Sequence, residues 1–262
     1  MKQITDNKEL RQIQIDILDR VVEFCNSHKL QYFLSSGTLL GAVRHKGYIP
    51  WDDDIDLYMP RKDYNELVKI FQDDRGVLEL KSQGSHNYLY TFAKVCNNRT
   101  LLLEDEVPGF ELGINIDIFP VDFVSDDIAK RKKLWKWKKI LYRIRRAKLQ
   151  NTCFLDSRFN YWCYRHVPVP LVIIDKLIHK LFQDNEPTGT MCNLTESGGR
   201  YDGCFSRECI EGEPVLVEFE GKKYKAMHGW EEYLTATYGK DYMQLPPVDQ
   251  RVTHHFLAYH LN

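Results

Sequence analysis

Leu10, Ile13, Ile17, Val21 and Phe24 recur at helical spacing after a polar Thr5-Asp6-Asn7 opening, which predicts an amphipathic helix running to about His28. The period then changes. Tyr32-Phe-Leu-Ser-Ser-Gly reads as a short strand ending in a glycine turn, and Thr38-Leu-Leu-Gly-Ala-Val as a brief helix after it. From Asp54 the chain alternates as Asp-Ile-Asp-Leu-Tyr-Met, placing Ile55, Leu57 and Met59 on one strand face and Asp54 and Asp56 on the other. Pro60 ends that strand, and Asp63 is placed to cap a helix carrying Tyr64, Leu67, Val68 and Phe71. A second alternation, Ile114-Asn-Ile-Asp-Ile-Phe, turns Asp117 away from Ile114, Ile116 and Ile118, and Pro120 closes it.

After Asp127 the pattern is helical and basic, with Leu134, Trp137, Leu141 and Ile144 forming an apolar stripe at spacings of three and four. Pro168 and Pro170 open another helix through Phe182, and Asp184 to Arg200 reads as irregular connection. Val215-Leu-Val-Glu-Phe-Glu-Gly-Lys-Lys-Tyr is hairpin-like, with Glu220-Gly221 at its turn, and a helix with Trp230, Tyr233, Leu234 and Tyr238 ends at Gly239. The sum predicts an α+β fold: a small mixed sheet carrying three aspartates with helices around it. Three parts follow, a core over residues 1–125, a basic helical segment over 126–184, and a C-terminal part over 185–262 that packs back on the core.

Composition changes this picture in one respect. At 262 residues, 43% hydrophobic and 28% charged, the chain can bury a core and is too mixed to be disordered or collagenous. Its net charge of -1 conceals a segregation. Lys130 to Lys148 holds eleven basic residues and no acidic one, and setting these aside leaves 25 basic against 37 acidic. Such asymmetry marks a surface that meets an anion. The N-terminus lacks the basic-then-apolar pattern of a signal peptide and no apolar run is long enough to span a bilayer, which predicts a cytoplasmic protein. Seven scattered cysteines without a Cys-x-x-Cys predict free thiols; Cys192, Cys204 and Cys209 alone are clustered enough for zinc, and no paired histidines stand beside them.

The densest chemical signal is Trp51-Asp-Asp-Asp-Ile-Asp, in which four carboxylates within five residues repel one another unless a cation neutralises them. Asp54 and Asp56, two apart on a strand, project to one side and can grip a divalent metal, and their hard oxygens suit Mg2+ or Mn2+. Asp117 on a second strand completes a platform for metal-assisted phosphoryl or nucleotidyl transfer. Against this stands the plainer reading of any acidic cluster, a solvated loop or a calcium site. The preceding Ser35-Ser-Gly-Thr adds backbone N–H groups able to hold a phosphate.

A Ser-Gly turn, an Asp-x-Asp strand and a later lone Asp resemble the nucleotidyltransferase superfamily of DNA polymerase beta. The intervening residues, Ser36-Gly-Thr-Leu-Leu-Gly-Ala-Val-Arg-His-Lys-Gly-Tyr-Ile-Pro-Trp-Asp-Asp-Asp-Ile-Asp, resemble the signature of the LicD family, phosphocholine transferases related to fukutin-related protein. The likeness continues through Arg61-Lys-Asp-Tyr, Ile116-Asp-Ile-Phe-Pro-Val-Asp122, Tyr238-Gly-Lys-Asp-Tyr-Met-Gln-Leu-Pro-Pro, Arg251 and His254-His255. It implies transfer of phosphocholine, or another phospho-alcohol, from CDP-choline or a related CDP-alcohol to a sugar hydroxyl of a teichoic acid, lipopolysaccharide or other surface glycan. Carried over by motif, Asp54, Asp56 and Asp117 are catalytic metal ligands, Asp117 also accepting the acceptor's proton, with Asp52 and Asp53 in support. Ser36, Gly37, Thr38, Arg44, His45, Lys46, Trp51, Arg61, Arg251 and His254 are the donor-binding candidates. Plainer roles are open to several of them: Arg44 and Arg61 as partners of the acidic cluster, Trp51 as a packed aromatic rather than a wall for choline, His254 as a core histidine.

The basic segment, with Trp135, Trp137 and Tyr142, reads as an in-plane contact on the inner face of the cell membrane that a lipid-linked glycan acceptor gives purpose, or else as a solvated face. No nucleic-acid motif accompanies it. Two other functions compete: a nucleotidyltransferase that leaves the nucleotide on its product, and a membrane-bound scaffold with a vestigial site.

Overall fold

In the computed structural model, which describes residues 1–104, 107, 109–183, 187–195, 203–251 and 256–261, the Asp6 carboxylate accepts from the Lys8 amide at 2.9 Å. It thereby caps α1 (Asn7–Ser27), whose Leu10, Ile17, Leu18 and Val21 are buried. Ahead of the helix lies β1 (Lys2–Ile4). After it come β2 (Phe33–Leu34) and α2 (Ser36–His45), so the expected glycine turn is instead the first turn of a helix, with Ser36 at a left-handed φ of 47°. β3 (Asp56–Pro60) leads directly into α3 (Arg61–Ile70). Pro60 ends the strand as expected, but it also occupies the N-cap, which leaves Asp63 inside the first helical turn rather than capping it. There its charge still complements the helix dipole.

The chain continues through β4 (Leu78–Lys81), β5 (Ala93–Asn97), β6 (Thr100–Glu104) and the long β7 (Asn115–Val124). Next come α4 (Ile128–Leu149), α5 (Arg158–Arg165), α6 (Leu171–Gln183), β8 (Thr190–Cys192) and β9 (Phe205–Ser206). The C-terminal part holds α7 (Glu208–Glu211), β10 (Val215–Phe219), β11 (Lys222–Ala226), α8 (Trp230–Tyr238) and β12 (Phe256–His260). Glu220 and Gly221 make the hairpin turn at φ of 49° and 75°, the left-handed pair a tight hairpin requires. Thr190–Cys192, expected to be irregular, is a strand because β7 is long enough to offer it an edge.

The central sheet runs β2-β3-β7-β5-β4, with β3 and β7 parallel, and β8 and β9 extend it from the far half of β7. A second sheet, β1-β12-β6, joins the chain ends to the core. Pro120 does not close β7. The Asp117 N–H donates toward β3, so by alternation the position of Pro120 turns its missing N–H to the opposite side. That side is unpaired there, between the β5 register ending at Ile118 and the β8 register starting at Asp122.

The α4 stripe is rotated by about one residue from the sequence expectation. Trp135, Lys138, Leu141, Ile144 and Arg145 face inward, while Trp137 is 50% exposed. Trp135 and Leu141 pack with Ile174, Ile178 and Phe182 of α6 and with Cys192 and Leu194. The buried face includes two cations, which a hydrophobic pattern counts as outward. Among the described residues no helix is long and apolar enough to cross a membrane.

Candidate active site

The parallel register of β3 and β7 sets Asp56 opposite Asp117, on the face their apolar neighbours leave free. Asp54 precedes β3 rather than lying within it, yet lines the same cavity of about 280 Å³ with Asp56 and Asp117. Tyr90, Phe92, Glu104 and Phe119 form part of the remaining wall.

The acidic loop is tied to α1. Arg11 donates to the carbonyls of Ile49 at 3.3 Å, Pro50 at 3.2 Å and Asp52 at 2.7 Å. Gln14 donates to the Asp53 carbonyl at 2.8 Å and accepts from the Tyr48 hydroxyl at 2.9 Å. These backbone ties offset the mutual repulsion of neighbouring carboxylates. Asp52, Asp53 and Asp54 bring an oxygen each within 4.8 Å of one another, the acidic group among the described residues that meets this spacing; Asp56 and Asp117 stand outside it. Asp54 therefore belongs both to the close triplet and to the cavity.

α2 braces this loop. Thr38 Oγ1 accepts from the Asp56 amide at 2.8 Å, and Ser36 N–H donates to the Tyr233 hydroxyl at 2.9 Å. Gly37 is packed against the Asp52 carboxylate, so a carboxylate sits beside the helix N-terminal turn. At Gly41 a Cβ would lie 2.5 Å from the Gly47 carbonyl oxygen, and this closeness is what lets the following loop return along the helix.

Asp117 has a partner that sequence reasoning missed. Lys94, on β5 and buried, donates to Asp117 Oδ1 at 2.6 Å and to Asn115 Oδ1 at 3.1 Å. Burial pushes the Asp117 carboxyl up to about 6, against the opposing charge and hydrogen bond of Lys94. Desolvation pulls the Lys94 amine down, but the Asp117 and Glu104 carboxylates and the hydrogen bond to Asp117 outweigh it and hold the ammonium above its usual value. The signal was a lone cation in the apolar run Phe92-Ala-Lys-Val-Cys. The basic helix contributes too: Arg145 and Arg146 line the cavity, and Arg145 Nε donates to Asp175 at 2.8 Å.

The donor-binding candidates separate into groups. Arg44 donates to the carbonyls of Tyr242 at 3.0 Å and Gln244 at 3.2 Å, and its Nε to His45 Nε2 at 3.0 Å. Burial, then the Arg44 charge, lowers the His45 pKa and favours its neutral form. Trp51 stands edge-on to His45 and carries the Arg251 guanidinium 4.4 Å over its ring. Lys46 ends α2 in the left-handed region and is exposed. Arg61 pairs through two 2.6 Å hydrogen bonds with buried Asp122, not with the acidic loop, and lines a second cavity of about 710 Å³ with Asp175 and His179. None of these candidates lines the aspartate cavity. His254 lies outside the described residues.

A mixed sheet presenting aspartates from two adjacent strands, with a small-residue helix start beside them, defines a nucleotidyltransferase-like protein. Residues 29–157 match the family model described as LicD/FKTN/FKRP, nucleotidyltransferase domain. The chain is 31% identical over 276 aligned positions, 97% of either chain, to the lipopolysaccharide cholinephosphotransferase LicD of Haemophilus influenzae. An uncharacterized protein of Rickettsia typhi is 31% identical over 118 positions, 44% of this chain and 36% of its own. One from Rickettsia prowazekii is 46% identical over 48 positions, 18% of each. The chain belongs to the LicD family.

Proposed function

We propose that this protein transfers phosphocholine from CDP-choline, or a related phospho-alcohol from its CDP-alcohol, to a sugar hydroxyl of a lipopolysaccharide or similar surface glycan, releasing CMP. The observation that carries the reading is similarity along nearly the whole of both chains to the Haemophilus enzyme, joined to the aspartate cavity. In the transfer the acceptor oxygen forms a bond to the phosphorus of the phospho-alcohol, the bond from that phosphorus to CMP breaks, and the hydroxyl proton leaves. Asp117, on the cavity wall with its carboxyl raised toward neutrality, is suited to take that proton. Lys94 positions it.

Mg2+ or Mn2+ fits the residues: Asp54, Asp56 and Asp117 line one cavity, and Asp52 to Asp54 hold oxygens close enough to share an ion. Bound there, the metal supplies charge neutralisation for phosphate oxygens. Purified protein is expected to release CMP from CDP-choline with Mg2+, and Asp54→Ala or Asp117→Ala to lower the rate by about 100-fold or more. Normal turnover in both variants overturns the assignment. Mass analysis of the glycan distinguishes an added phospho-alcohol from an added nucleotide.

The acceptor also bears on where the protein works. We infer that it rests on an anionic membrane surface through the exposed lysines of α4 together with Phe159, Trp162, Val172, Ile173 and Leu177 of α5 and α6, all of which are exposed.

A further inference from the structure

The cleft of about 710 Å³ between α3 and α6 holds none of the three aspartates. α3 lines it with Arg61, Tyr64, Asn65 and Val68, and α6 with Val172, Asp175, Lys176 and His179. In each set the residues stand three and four apart along one helix, so each helix turns a single face to the cleft. Ser82, Gln83 and Gly84, in the segment after β4, line a further side.

This cleft adjoins the aspartate cavity. Thr91 lines both, and Asp175 on the cleft side accepts from Arg145 Nε on the cavity side at 2.8 Å. A ligand that fills the cleft therefore reaches the edge of the transfer site at Thr91. On α6 the cleft is flanked by apolar surface: Val172 is 64% exposed, and Ile173 and Leu177 beside it are exposed as well.

The lining selects the kind of ligand. Its fixed charges are already neutralised in pairs, since Arg61 Nε and Nη2 bind both Asp122 oxygens at 2.6 Å, and Asp175 holds Arg145 and accepts from Gln83 Nε2 at 3.0 Å. The remaining ionisable groups, Lys176 and His179, are exposed to solvent. Charges paired within the protein suit a neutral, hydroxyl-rich ligand better than a diphosphate, which the aspartate cavity with Arg145 and Arg146 is built to hold. Each sugar hydroxyl both donates and accepts. Asn65 and Gln83 offer amides that do the same, Ser82 a hydroxyl and Asp175 a carboxylate acceptor. Tyr64 and Val68 supply apolar surface for the C–H faces of a sugar ring, and the volume is that of a small-ligand site.

We propose that the cleft between α3 and α6 binds the sugars of the acceptor, with the hydroxyl to be modified reaching past Thr91 into the aspartate cavity. The proposal rests on the transfer reading above. Donor and acceptor then occupy two cavities that meet at one wall, and the acceptor oxygen is held where the donor phosphorus lies.

The test is steady-state transfer with CDP-choline, Mg2+ and deacylated lipopolysaccharide that lacks phosphocholine, so that lipid contact does not contribute. Asn65→Trp and Val172→Trp place a large ring in the cleft from exposed positions. Each is expected to raise the acceptor KM about tenfold, the scale of one or two lost hydrogen bonds, while the KM for CDP-choline stays within twofold. Gln83→Ala is expected to raise the acceptor KM about fivefold. Lys62→Trp, the same change at an exposed position of α3 outside the cleft, is expected to leave both constants unchanged. If the tryptophan variants at Asn65 and Val172 fail to fold, Gln83→Ala decides the matter. An acceptor KM unchanged in the cleft variants, or a KM for CDP-choline that rises as much as that for the acceptor, overturns the cleft assignment alone. Wild-type protein that transfers nothing to the glycan and releases no CMP overturns the transfer reading, and the cleft assignment falls with it.

Discussion

Arg61 and Asp122 form a bidentate pair in which the carboxylate is 2% exposed, and neither residue faces the acidic loop. Removing the guanidinium leaves a charge in the interior, so Arg61→Ala is expected to destabilise the fold by about 3–5 kcal/mol in urea denaturation near pH 8. Burial already raises the Asp122 carboxyl above its ordinary value, against the hydrogen bond and charge of Arg61. Without Arg61 it rises further. A folded value above the unfolded one means that protonation favours folding, so the deficit should shrink as pH falls through the folded value toward about 4. A deficit that is flat with pH would show that lost packing, and not the unpaired buried charge, dominates. Single residues of this kind set the limit of sequence reading. Asp54, Asp56 and Asp117 stood out because carboxylates crowd together along the chain or break an apolar alternation. Glu104 reaches the same cavity and Lys94 reaches Asp117 from strands whose pairing is long-range; a lone cation in an apolar run marks Lys94 as unusual, but nothing local in the sequence says which carboxylate it meets.

At the scale of elements, the parts with local causes were legible: α1 from its cap and stripe, the β10–β11 hairpin from Glu220-Gly221, α8 from its terminal glycine. β1, β6 and β12 were not, because each is a short run that becomes a strand only by pairing with the others. α4 was legible as a helix, with Leu141 and Ile144 buried as its stripe predicts, but Trp135 rather than Trp137 faces inward in its first half. Its buried face includes Lys138, whose ammonium lies 5.2 Å from the Trp135 ring and 5.7 Å from that of Tyr142, and Arg145, bound to Asp175. Cations satisfied by rings and a carboxylate can occupy an interior position that binary patterning assigns to solvent. The rotation is open to measurement. Trp135→Ala is expected to cost about 3–5 kcal/mol and Trp137→Ala less than about 0.5 kcal/mol in chemical denaturation. The reverse order would restore the stripe that the sequence pattern suggests.

For the whole molecule, the net charge of -1 is the residue of two opposed regions. The acidic one contains the aspartate cavity, and the basic one is α4, which divides its charges between two tasks: Arg145 and Arg146 turn to the cavity wall, while Lys130, Lys132, Lys133, Lys136, Lys139 and Arg143 are exposed. Beyond α4 the exposed apolar side chains concentrate, with Phe159 at 72%, Trp162 at 57% and Val172 at 64% accessible. Exposed tryptophan and phenylalanine near lysines are the composition of a surface that rests at a lipid headgroup boundary, where the apolar part inserts and the charge is drawn to anionic lipid. The two contributions separate by salt, since charge attraction is screened over about 10 Å at 0.1 M and apolar insertion is not. The protein is therefore expected to float with phosphatidylglycerol-containing liposomes and less with phosphatidylcholine ones. Charge reversal at Lys136 and Lys139 should weaken flotation most at low salt, and Phe159→Asp with Trp162→Asp should weaken it at every salt concentration. Flotation that neither pair of substitutions changes, or none at all with anionic vesicles at low salt, removes the membrane role and leaves α4 as a helix whose outward charges serve solvation.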